Sequence, residues 1–230
     1  MPLPAPYDAR NELLAAAQRA VDSVSRGRDV PEAELAGLAR AVLAAETAHP
    51  DDPAVLLAAF QFAFRTGDLA RAGSLAQRRL AMAADGSPEA ARALCNLGLV
   101  AHRRGVLDEA EALLTRALEV SRTLDDPHAV ARDLANLSLV PESRRQWDRA
   151  EALLREALEI SLRQDTDRGA ELAAGARANL GDIAWERGRS DEAERLWREA
   201  AGQFERLGVE KWRREFEARW AKLRERGAGA

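Results

Sequence analysis

Few side chains in this 230-residue chain could do nucleophilic or metal chemistry: His49, His102, His128 and the single cysteine, Cys95. Cys95 and His102 stand seven apart, which places them on one face of a helix. A thiol activated by an imidazole needs both groups within hydrogen-bond reach. Seven residues is two turns, about 10 Å of rise, too far for that chemistry. Two potential ligands at this spacing also fall short of a metal site. The stretch "ESRRQWDR", Glu142 to Arg149, is no phosphate loop, and no glycine-rich signature precedes a helix. The acidic runs "DEAEALL" and "DEAERLW" fit solvated helix faces better than paired catalytic carboxylates. The expectation is therefore a chain with no catalytic residues, no metal and no cofactor. The balance of 34 basic against 38 acidic residues, a net charge of −4, argues against a nucleic-acid partner. No apolar run is long enough to cross a bilayer, and "MPLPAPYDARNELL" has no apolar signal core. One cysteine forms no internal disulfide, which fits a reducing compartment; the expected location is the cytoplasm.

What must position any site is a repeated element. "NLGLVAHRRGVLDEAEALL" (Asn96–Leu114), "NLSLVPESRRQWDRAEALL" (Asn136–Leu154) and "NLGDIAWERGRSDEAERLW" (Asn179–Trp197) are three versions of one sentence. Ala110, Ala150 and Ala193 are spaced 40 and 43 residues apart. Each is preceded at 13 residues by Leu97, Leu137 or Leu180 and followed at 7 by Ala117, Ala157 or Ala200. Constant offsets within copies and variable length between them mean one supersecondary unit with variable connectors. A weaker copy precedes these, with Gly67 and Ala72 matching Gly105 and Ala110, and residues 8–48 read as one more degenerate pair. Helix starts are marked by Asp52-Pro53, Ser87-Pro88 and Asp126-Pro127, a capping side chain before a proline. Stops are marked by Gly67, Gly105 and Gly188. Apolar residues recur at helical spacing between these signals, and no segment alternates like a strand. This predicts an all-α chain of about eleven helices in antiparallel pairs.

The Leu-Gly pairs Leu97-Gly98 and Leu180-Gly181, the turn glycines and the recurring alanines resemble the tetratricopeptide repeat. The copies exceed its usual length of about 34 residues, as in the kinesin light chain and several bacterial regulators of the superfamily. The resemblance implies a right-handed superhelical solenoid in one domain. It comprises a degenerate pair at 8–48, a degenerate repeat at 53–85, three good repeats over 91–207 and a capping helix at 209–226. It also implies that first helices line a concave groove, where Asn96, Asn136 and Asn179 would bond the backbone of an extended peptide. An amide can donate and accept at once, which suits that role; equally, the asparagines could be repeat consensus that binds nothing. Their neighbours by helical offset are Arg92, Arg103, His102 and Arg132, then Asp182, Trp185 and Glu186, so one end is basic and the other acidic. The lysine clamp of chaperone-binding relatives is not matched, since Cys95 stands beside Asn96. The implied role is a non-enzymatic scaffold for a protein or peptide partner; a regulatory peptide-sensing domain and an accessory subunit of an enzyme complex are the alternatives.

Three departures cluster in the middle copy: Ser138 for Gly98, Pro141 for Ala101 and Arg145 for Gly105. Pro141 removes the bond to the carbonyl of Leu137 and predicts a kink, either tolerated or a bend that shapes the inner surface. By alignment Trp147 and Trp197 belong to the core, and Trp185 faces the groove as a candidate exposed anchor. In the last segment, Trp212, Phe216, Trp220 and Leu223 form one stripe. That helix either caps the final repeat or serves docking and homo-oligomerisation. Its interspersed Glu215, Glu217 and Glu225 argue against a membrane surface.

Overall fold

Capping chemistry sets the helix boundaries. In the computed structural model, which describes residues 6–25, 30–209 and 212–228, Asp52 accepts from the amides of Ala54 and Val55 at 2.9 and 3.2 Å. Ser87 accepts from Ala90 at 3.1 Å and Asp126 from Ala129 at 3.0 Å. Each precedes a proline in the first turn, where the missing N–H costs nothing. Gly67, Gly105 and Gly188 end first helices with φ of +84°, +78° and +75°, the left-handed conformation that glycine adopts most cheaply.

Between these signals run helices α1 (Pro6–Ser25), α2 (Glu32–Ala48), α3 (Pro53–Thr66), α4 (Leu69–Met82), α5 (Pro88–Arg103) and α6 (Leu107–Thr123). They are followed by α7 (Pro127–Leu137), α8 (Leu139–Ser143), α9 (Trp147–Leu162), α10 (Asp167–Glu186), α11 (Ser190–Arg206) and α12 (Trp212–Ala228). The pairs are α1/α2, α3/α4, α5/α6, α7–α8/α9 and α10/α11, each stacked on the next. The chain is an all-α, right-handed superhelical solenoid, without strands among the described residues.

The count of twelve segments, against the eleven expected, has a local cause. Pro141 cannot donate to the carbonyl of Leu137, and α7 ends at Leu137. The chain continues through Ser138 at φ −61°, ψ −24°, so the helix is interrupted without turning away. Arg145 then takes the left-handed position that glycine holds in the flanking copies, at φ +57°.

Small residues let the helices of a pair close. A methyl group on Gly98 would sit 2.6 Å from Cγ of Leu114, and one on Gly181 would sit 2.5 Å from two indole atoms of Trp197. Both distances lie inside van der Waals contact. Ala110, Ala117, Ala150, Ala193 and Ala200 are fully buried. A single hairpin cannot cover such a stripe, so neighbours stack and share one continuous core. At the end of the stack, Phe216 of α12 is fully buried, and Trp220 and Leu223 pack partly buried beside it against Phe204 and Trp197. The side chains of Trp212 and Glu215 lie outside the described residues.

Candidate binding groove

First helices supply the concave wall. His102 near the end of α5, Leu139, Glu142 and Ser143 of α8, and Asp182 and Glu186 of α10 border one open cavity of about 660 Å³. Trp147 lines it at the start of α9, and Ala218, Arg219 and Lys222 of α12 close it on the remaining side. Glu142 and Ser143 follow Pro141 in α8.

None of the three predicted asparagines is among the residues that border this cavity, and they do not share one environment. Asn96 and Asn179 are half-buried in mid-helix. Asn136 is also half-buried, and its amide donates to Sγ of Cys95 at 3.0 Å. Cys95 is buried, and burial pushes its thiol up to about 12. It is a neutral side chain held between repeats, not a thiolate beside His102.

The basic residues are mostly engaged within the fold. Arg103 donates to the carbonyl of Phe64 at 2.6 Å and stacks 4.0 Å above the Phe64 ring, tying one repeat to the previous one. Arg132 pairs with the fully buried Asp133 at 2.8 Å, and Asp133 also accepts from Ser121 at 2.6 Å. Arg92 is exposed. His102 meets the hydroxyl of Ser143 at 2.8 Å across the repeat boundary, and burial lowers its proton affinity.

The acidic end is engaged as well. Asp182 accepts from Nε and Nη2 of Arg219 at 2.8 and 2.5 Å, a bidentate pair from α12. It also accepts from the indole of Trp197 at 3.1 Å. Lys222 lies 3.9 Å from Glu186, and its Nζ is 5.8 Å from the Trp185 ring centroid. Trp185 is half-buried, with its ring centroid 5.6 Å from that of Trp197. Glu142 sits among these acids. Burial and the carboxylates of Asp182 and Glu186 push it up to about 7, against the pull of Arg219.

Sequence reasoning missed the joints between repeats on the opposite helices. Glu111, in an acidic run expected to be solvated, accepts from Arg144 and Arg149 of the next repeat. Glu151 is buried and accepts from Arg187 at 3.1 Å and from Arg189. Glu46 accepts from Arg71 at 2.7 Å and Arg78 at 3.2 Å. The signal was present: a glutamate follows Ala110 and Ala150 directly, and arginines crowd each turn. No cluster of three or more metal-binding side chains and no helix long and apolar enough to cross a membrane occurs among the described residues.

A tetratricopeptide-repeat family model matches residues 89–163, and a second matches residues 173–201. No curated protein matches the chain. Among solved structures it is similar to BtubC (BKLC) from P. vanneervenii, with TM-score 0.61 and 18% identity, over 87% of this chain and 93% of that one. It is also similar to a putative kinesin light chain from Podosopora anserina, with TM-score 0.60 and 13% identity, over 86% and 95% of the two chains. A Rap protein complexed with Competence and Sporulation Factor aligns with TM-score 0.57 and 15% identity, over 89% of this chain and 68% of that one. Both family matches fall on the stacked hairpins and the similar solved structures share the solenoid fold, so the chain carries tetratricopeptide repeats over residues 89–163 and 173–201.

Proposed function

We propose that the chain is a non-enzymatic interaction module that holds an extended segment of a protein or peptide partner in its concave groove. One observation carries this: the cavity of about 660 Å³ is walled by side chains from three successive first helices. A groove assembled from several repeats suits a ligand that runs along the stack, with polar side chains setting its orientation. Half-buried Asn96 and Asn179 stand on the same first helices, where an amide can pair with a peptide backbone. The similar fold of a Rap protein complexed with Competence and Sporulation Factor is compatible with this reading.

The test places a photo-crosslinking residue at Leu139, in the groove, or at Leu162, which is 58% exposed and lies outside it. In native extract the Leu139 position should yield a discrete, stoichiometric adduct that the Leu162 position lacks. The captured partner should then bind the Asn179→Ala chain more weakly than the unmodified one. Adducts from Leu162 alone would move the interface out of the groove.

A further inference from the structure

The helix that ends the solenoid is held differently from those it covers. α10 buries nine residues, whereas among residues 216–225 of α12 only Phe216 is buried. Trp220, Leu223 and the side chains of Arg219 and Lys222 add to its contact with the stack. Among the described residues the buried apolar surface is small, and an element so held opens at lower free energy than the body of the fold. Its charge is also unlike the rest. α12 carries six basic and three acidic residues, a net +3, in a chain whose net charge is −4. The two charged side chains it brings to the cavity, Arg219 and Lys222, are basic, and they meet the groove's acids, Asp182 and Glu186. The fork of Arg219 on Asp182 is the geometry by which an arginine from any polypeptide would be recognised there.

We propose that α12 is a detachable strap across the acidic end of the groove, and that a partner segment gains that end only by displacing Arg219 and Lys222 from Asp182 and Glu186. This rests on the groove being the binding face. The displacing segment is itself basic and helical or extended, because it must replace two cations that the acids already hold. Docking then includes an opening step, and the affinity of the open form is reduced by the fraction of molecules with the strap released.

The experiment uses the full chain and the synthetic peptide of residues 212–228. In the unmodified protein, native-state hydrogen exchange should show α12 amides opening in a separate step, well before α10 and α11. In the Arg219→Glu, Lys222→Glu chain, α12 protection should fall at least tenfold while that of α10 and α11 changes less than about twofold. The peptide should bind this chain at least ten times more tightly than the unmodified one. Adding Asp182→Asn and Glu186→Gln should remove that gain. Exchange of α12 only through global unfolding would overturn the proposal, and so would equal peptide binding, or none, in both chains. These readouts need no natural partner. A strap that opens while Leu139 crosslinks nothing would reject groove binding and leave the strap intact.

Discussion

Arg145 and Glu142 stand within three residues of each other and hold two unusual local states. Arg145 holds φ +57° in the turn where Gly105 and Gly188 serve the flanking repeats. A side chain there costs about 1–2 kcal/mol, partly offset by the lower chain entropy of a non-glycine residue. Its contact with Trp147, at 5.9 Å from guanidinium carbon to ring centroid, is at the limit of a cation–π interaction. Arg145→Gly should therefore stabilise the protein by about 0.5–1 kcal/mol, read as a higher melting temperature. Glu142 gives a pH signature. Its carboxyl is raised from 4.5 to about 7 by burial and by Asp182 and Glu186. The folded state thus keeps a proton that the unfolded chain releases, and stability falls as pH rises from about 4.5 to about 7. His102, Arg219 and Lys222 also face this cavity, and the lowered His102 contributes the opposite slope. The difference between the unmodified chain and Glu142→Gln isolates Glu142. Glu142→Gln should be the more stable by about 1–2 kcal/mol at pH 8, after discounting for partial exposure, and equal at pH 4. A difference that does not change with pH would mean that Glu142 titrates normally.

At the scale of elements, the hairpin register depends on small residues facing large ones. Ala150 is fully buried among Leu154, Ala184 and Ala193. Ala150→Leu should overpack that contact and lower stability by about 1–3 kcal/mol in a denaturant melt. The joints between hairpins are ionic. Glu151 is 8% exposed and meets Arg155, Arg187 and Arg189, which are 62%, 33% and 34% exposed. Breaking a fully buried pair removes about 3–5 kcal/mol. Here the arginines regain water, so Glu151→Ala should remove about 1–3 kcal/mol, less at high salt. An unchanged chemical-denaturation midpoint would show that the joint contributes nothing. Much of this level was readable from the chain alone. Caps at Asp52, Ser87 and Asp126, left-handed Gly67, Gly105 and Gly188, and the break before Pro141 all follow from backbone sterics, which are local. The arginine–glutamate joints were not readable, because they pair residues 33 to 38 positions apart. Their partners are fixed only once the twist between hairpins is fixed. For the same reason the resemblance could suggest a groove role for Asn136, but the sequence could not show that Cys95 takes its amide.

At the scale of the whole molecule, the cavity is bordered by none of the three asparagines. Its acidic end is closed by α12, and Arg103 and Arg132 serve the fold at the basic end. A substitution that tests binding must therefore be separated from one that loosens the stack. Asn136 is central, but it donates to a cysteine buried between repeats. Asn136→Ala removes that bond as well as any bond to a ligand, so it should lower both the melting temperature and the affinity. Asn179 is half-buried on α10 and makes its stand beside the acidic end. Losing one amide bond to a ligand backbone is worth about 0.5–1.5 kcal/mol, or roughly 2- to 12-fold in affinity. Asn179→Ala should show that loss for a captured partner with a melting temperature within about 1 °C of the unmodified chain. In the Arg219→Glu, Lys222→Glu chain both forms should bind more tightly, and the ratio between them should persist, because releasing the strap changes access and not the amide contact. A ratio that collapses to one would mean that Asn179 acts through α12 and does not touch the ligand.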